Sequence, residues 1–167
     1  MAKYIERCVE GTIQEKNCFV HFGHKNEELP MSIVLVGWHQ TDGGYGYGPM
    51  IRDHWLLHFV LKGNGVVQVE NMEYEARAAQ IFAIRPHQIT YYEASIGAPW
   101  EYFYIGFEGG WAPQIMKDIG FINDDIIVIQ IPNTEEIFRL LKKIRRYIKT
   151  YLEVGDGVLG IHGCIYE

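Results

Sequence analysis

The chain has 167 residues, of which 48% are hydrophobic and 22% charged, with a formal net charge of −6. That length suits one domain with a helical appendix, and the composition is that of a folded globular chain. The acidic balance repels phosphate backbones and argues against direct DNA binding by this chain, no apolar run approaches the ~20 residues of a membrane span, and the N-terminus lacks a signal-peptide core.

The first 30 residues read as polar and irregular, with one short apolar run at 19–22. Residues 31–39, MSIVLVGWH, read as a buried strand. Residues 40–50 carry four glycines and a proline and read as a loop. Residues 55–61 form the next expected strand, and Gly63-Asn64-Gly65 a tight turn into a strand at 66–69. A second turn at Asn71-Met72 returns the chain through 73–76. Strands at 81–84, 89–93 and 100–107 follow, separated by the turn Arg85-Pro86-His87 and a loop at 95–99. Short strands at this spacing predict a sandwich or barrel.

After Gly110 the pattern changes. Residues 111–119 fit a short helix ended by Gly120, and 126–131 is one more apolar run. Thr134 is the expected N-cap of a long helix, with Glu135 and Glu136 in its first turn. Ile137, Leu140, Leu141, Ile144, Ile148 and Leu152 then recur at helical spacing. The basic residues on that helix, among them Arg139, Lys142 and Arg146, read as a solvated face. The tail from residue 158 reads as the opening of another helix.

Trp100, Tyr102 and Tyr104 alternate along the last strand, so their rings share one face. Two readings stay open: plain core packing, or the wall of a small-ligand cavity. Tyrosine and tryptophan combine an apolar face with a polar edge, which suits a sugar stacked on a ring while Tyr hydroxyls, Arg52 and His58 bond its hydroxyls. Catalytic patterns are missing. The seven histidines include no His-x-His pair with a downstream Glu, so no metal site is expected. There is no Gly-x-Ser-x-Gly, and the glycines at 43–48 do not open a helix, which removes a phosphate loop. Cys8, Cys18 and Cys164 are scattered without a CxxC and read as reduced thiols of a cytoplasmic protein. Neither an enzymatic role nor a cofactor is expected.

The run Gly48-Pro49, Arg52-Asp53, Trp55 through Val60 and Gly63-Asn64-Gly65 resembles the ligand-sensing domain of AraC-family transcriptional regulators. Phe82 through Pro86, Tyr91-Tyr92 and Pro99 through Phe107 extend the likeness in the same order, closest to members that control sugar-utilisation genes. The resemblance implies a mainly β fold: a cupin-like jelly-roll β-barrel followed by C-terminal α-helices used for dimerisation. It implies an N-terminal arm at 1–18, an effector-binding barrel at 19–109 and a helical dimerisation segment at 110–167.

In an arabinose-responsive member of the family, the sugar is held by residues whose counterparts here are Arg52, Tyr92, Tyr102 and Tyr104. Tyr102 replaces a histidine and Tyr104 a tryptophan, which implies a pocket that still stacks a sugar, but a different one. Together with His58 and Trp100 these are the candidate ligand-binding residues, and a mono- or oligosaccharide effector and a second copy of the chain are the implied partners. Such regulators reach DNA through two helix-turn-helix motifs that this chain does not contain. A piece of a longer regulator, self-associating more weakly than the whole, is therefore expected. A metal-dependent cupin enzyme such as a sugar isomerase, or a dimerisation module with a packed barrel, are the alternatives.

Overall fold

Glycine and proline cut the middle of the chain into short strands, and these pair as one long hairpin rolled upon itself. The computed structural model describes residues 10–13, 15–22, 29–125, 127–154 and 158–165. In chain order the strands are β1 (Glu10–Ile13), β2 (Asn17–His21), β3 (Ser32–Gln40), β4 (Gly46–Met50), β5 (Trp55–Lys62), β6 (Asn64–Val69), β7 (Met72–Arg77), β8 (Gln80–Ile84), β9 (Thr90–Ala94) and β10 (Glu101–Glu108). Helix α1 (Ala112–Asp118), strand β11 (Val128–Gln130) and helices α2 (Thr134–Val154) and α3 (Val158–Ile165) follow.

One sheet runs β1-β2-β3-β10-β5-β8-β11 and the other β4-β9-β6-β7. The pairs β3–β10, β4–β9, β5–β8 and β6–β7 are nested and antiparallel, which is the jelly-roll topology. The mainly β, cupin-like jelly-roll barrel followed by helices is thus the architecture of this chain. No helix among the described residues is long and apolar enough to cross a membrane.

Alternation along the central strands builds two cores. On β5, Leu56, His58 and Val60 face the barrel interior, whereas Leu57, Phe59 and Leu61 face outward. On β10, Tyr102 and Tyr104 point inward beside Trp100, and Phe103, Ile105 and Phe107 point outward. The outer set packs against Ala112, Met116 and Phe121 and against Leu141, Ile144 and Ile148 of α2. A strand buried on both faces reads as a continuous apolar run, which explains the sequence YFYIGF.

Several local expectations are corrected. Residues 10–13 and 17–21 are not irregular: β1 and β2 extend the large sheet, with Val20 opposite Val36 and Cys18 opposite Trp38. Cys18 and Val20 are fully buried under α2, a role that four polar neighbours hide in the sequence. Residues 1–9 of the expected arm lie outside the described residues.

The glycine-rich segment 46–50 is a strand, β4, because it lies at a sheet edge and bonds only to β9. A proline is tolerated there since it falls at a break in the β4–β9 register between Tyr47 and Met50. Gly48 has φ +111, and a Cβ at that position would meet the Thr90 carbonyl oxygen at 2.5 Å.

Gly63 does not close a hairpin. With φ +75 it turns the chain from the large sheet into the small one, since β5 and β6 belong to different sheets. The β6–β7 turn falls on Glu70-Asn71, one residue earlier than expected, with Val69 paired to Met72. The cap of α2 also moves by one. Asn133 is the N-cap: its Oδ1 accepts from the Glu136 backbone N–H at 3.3 Å, and its Nδ2 donates to Glu136 Oε2 at 2.7 Å.

Candidate functional site

The barrel interior is filled at one end and open at the other. At the filled end Trp100 is fully buried, its Nε1–H donates to the Ala76 carbonyl at 3.1 Å, and its ring packs on Phe82 and Tyr92. Gly65 makes the room, since a Cβ there would lie 2.5 Å from the indole. Above this plug a cavity of about 670 Å³ opens between the sheets, within the ~300–1,000 Å³ usual for small-ligand sites.

Five of the six candidate residues line that cavity: Arg52, His58, Tyr92, Tyr102 and Tyr104. Trp100 does not, and this corrects the expectation that the three alternating rings form one ligand surface. Period two put all three on the inner face, but distance along the barrel axis made Trp100 the plug beneath the site.

His58 is the centre of the cavity floor. It is 1% exposed, stacks on Phe82 at 4.2 Å between ring centroids, and has Tyr92 and Tyr102 each at 5.0 Å and Tyr104 at 5.9 Å. Burial, helped by the Arg52 charge, holds this imidazole well below its ordinary pKa, so it is neutral. Its Nδ1 is buried without a hydrogen-bond partner.

Burial likewise pushes the Tyr92, Tyr102 and Tyr104 phenols far up, so all three keep their protons and can both donate and accept. Arg52, from the link between β4 and β5, is half-buried, reaches Thr90 Oγ1 at 3.5 Å and sits 5.3 Å from the centre of the Tyr47 ring.

The sequence reading missed part of the wall. His39 at the end of β3 bonds the Tyr102 hydroxyl through Nδ1 at 3.3 Å and stands edge-on to Tyr45 at 4.7 Å. Tyr47 stacks on Tyr92 at 5.7 Å. Asn17 of β2, Asp53 and His54 just before β5, and His87 complete the polar lining. The signal for Tyr45 and Tyr47 was their own period-two spacing, concealed by the glycines around them. For Asn17 no local signal exists, because its strand was not recognised. Among the described residues no three His, Cys, Asp or Glu side chains gather as a metal site would require.

A jelly roll plugged at one end, with an aromatic and polar cavity at the other, is a small-molecule-binding barrel. Residues 32–152 match the family described as the AraC-like ligand binding domain, and the chain belongs to it. The Msm operon regulatory protein of Streptococcus mutans is 35% identical over 101 residues, which are 60% of this chain and 36% of that protein. The raffinose operon transcriptional regulatory protein of Pediococcus pentosaceus is 24% identical over 110 residues, 65% of this chain and 40% of that one. The chain thus spans well under half the length of these two relatives. Among solved structures, YhaK of Escherichia coli superposes with a TM-score of 0.51 over 70% of this chain and 51% of that one at 14% identity, a likeness of fold.

Proposed function

We propose that this chain is the effector-binding domain of a transcriptional regulator of carbohydrate utilisation, and that its cavity takes a mono- or oligosaccharide. The observation that carries the reading is the cavity lining: protonated phenols, the neutral His58 imidazole, the Arg52 guanidinium and the Asp53 carboxylate around a pocket of about 670 Å³. Rings cover the C–H faces of a sugar and polar edges meet its hydroxyls. Each such bond nets only ~1 kcal/mol, so several together are needed for affinity. Sugar-operon regulators among the relatives support the same class of effector. The site binds and does not catalyse.

Signal transmission follows from β2 and β3. Asn17, Phe19 and His39 face the cavity, while Cys18, Val20 and Trp38 on the same strands face α2, where Arg145 lies 3.3 Å over the Trp38 ring. A ligand that favours one placement of these strands biases α2, and only by its difference in affinity for the two placements. In the whole regulator the helices pair two copies, and DNA is contacted by a helix-turn-helix region.

The test is a thermal-shift screen with raffinose, lactose, sucrose, galactose and glucose, followed by calorimetric titration. A ligand at 100 times its Kd stabilises by about 2.7 kcal/mol. A saccharide-specific rise in Tm that disappears in Tyr104→Ala is the expected result. No rise with any saccharide, in a folded protein, refutes the reading.

A further inference from the structure

Three buried polar atoms on the cavity wall lack a hydrogen-bond partner among the described residues: Asn17 Oδ1, His54 Nε2 and His58 Nδ1. Buried polar groups are rarely left so, and each one costs free energy until something pairs with it. All three line the one cavity, on β2, on the approach to β5, and on β5 itself.

His54 carries the most information. Its Nδ1 lies 2.9 Å from Asp53 Oδ1, and a carboxylate accepts only, so Nδ1 holds the proton. In the neutral ring Nε2 is then a bare acceptor. Burial, the leading influence, lowers the pKa of His54 and keeps the ring neutral despite Asp53. The ring is also held in place from behind: Gly106 leaves room for it, and a Cβ there would be 3.1 Å from its Cδ2. Asn17 Oδ1 is an acceptor by nature.

We propose that His54 and Asn17 are the specificity-determining residues of the cavity, paired acceptors that select a ligand bearing hydroxyl hydrogens at both points. A group without a hydrogen to donate, such as an ether or carbonyl oxygen, would bring lone pairs against lone pairs at either atom. Asp53 is a positioning residue that fixes the His54 tautomer. This rests on the effector reading above and adds to it the residues that choose among polyols.

The experiment uses the full chain and whichever of the five saccharides it binds most tightly. Four variants are compared with it. His54→Asn keeps a donor toward Asp53 but removes the acceptor at Nε2, and His54→Gln restores a polar end near that position. Asn17→Leu removes the second acceptor, and Leu57→Met, on the outer face of β5, is a packing control. His54→Asn and Asn17→Leu are each expected to weaken binding about tenfold or more, with His54→Gln closer to the native Kd.

The Tm of the ligand-free Asn17→Leu variant is expected to stay level or rise, because an unpaired buried acceptor is lost. Nitrogen NMR of the native chain should show His54 protonated on Nδ1, with Nε2 shifting on saccharide addition. Native-like Kd values in both variants, or an Nε2-protonated His54, overturn the inference while leaving saccharide binding intact. A chain that binds none of the saccharides overturns the effector reading and this inference with it.

Discussion

Gly37 sits in the middle of β3, where an alanine Cβ would fall 2.4 Å from both Cζ and the hydroxyl oxygen of Tyr104 and 2.8 Å from Cβ of Phe19. Carbon atoms pack at about 3.5–4.0 Å, so Gly37→Ala forces a separation of about 1 Å or more. Strand β3 cannot yield, because β2 and β10 bond it on both sides. Tyr104 must move, and with Tyr102 at 6.0 Å and His58 at 5.9 Å between ring centroids its open direction is the cavity.

Overpacking costs about 1–3 kcal/mol; with open space beside the ring the lower end applies, a fall in Tm of about 2–4 °C for a chain this long. Binding suffers more, since the ring now occupies ligand space, and a tenfold loss corresponds to about 1.4 kcal/mol. Scanning calorimetry and saccharide titration of Gly37→Ala, Tyr104→Ala and the double variant test this. In the Tyr104→Ala background Gly37→Ala should have little further effect on affinity, while the cost of its 2.8 Å approach to Cβ of Phe19 remains in the Tm. A folded Gly37→Ala chain with native affinity would refute the placement of Tyr104 as a cavity wall held by the bare Gly37.

Three other outcomes are expected. His58 is neutral when folded but protonates near its ordinary pKa, about 6.5, when unfolded, so the unfolded state binds the extra proton as pH falls below that value. Its share of stability is therefore present above pH 6.5 and lost on acidification, by up to about 1.4 kcal/mol per pH unit. Melts between pH 7.5 and 5.5 should show a shallower decline in His58→Phe than in the native chain, and identical slopes would contradict the burial argument. Asn133→Ala should lose about 1 kcal/mol in denaturant melts, and Thr134→Ala only a few tenths, because Asn133 holds the cap of α2. Trp100→Phe should lower Tm, since it strands the Ala76 carbonyl and leaves a void. Saccharide affinity should stay near native in that variant; a loss as large as that of Tyr104→Ala would return Trp100 to the binding site.

Much of the barrel was legible locally. The strands around β5, β8, β9 and β10 follow from alternation and from Gly and Pro punctuation, and α2 follows from a 3.6-residue apolar period. Tyr102 and Tyr104 followed from strand period and Arg52 and His58 from residue type, whereas Tyr92 came from the family resemblance. β1, β2 and β4 were not legible: a strand of four or five residues is stabilised by its neighbour's ladder, and for β2 and β4 that neighbour is distant in sequence, while β1 depends on β2 in turn.

What the chain determines by itself is which face each side chain takes, through strand and helix periods that depend only on backbone geometry. Depth along the barrel axis was decided by tertiary structure alone. Trp100 and Tyr104 share a face and a strand run, yet one is the plug and the other the wall, because Gly65 and the Ala76 carbonyl receive the indole at one end. His54 and Asn17 show the same dependence. They are 37 positions apart in the chain, and only the closing of β2 onto β3 and of β5 onto β10 brings both to the rim of a common cavity.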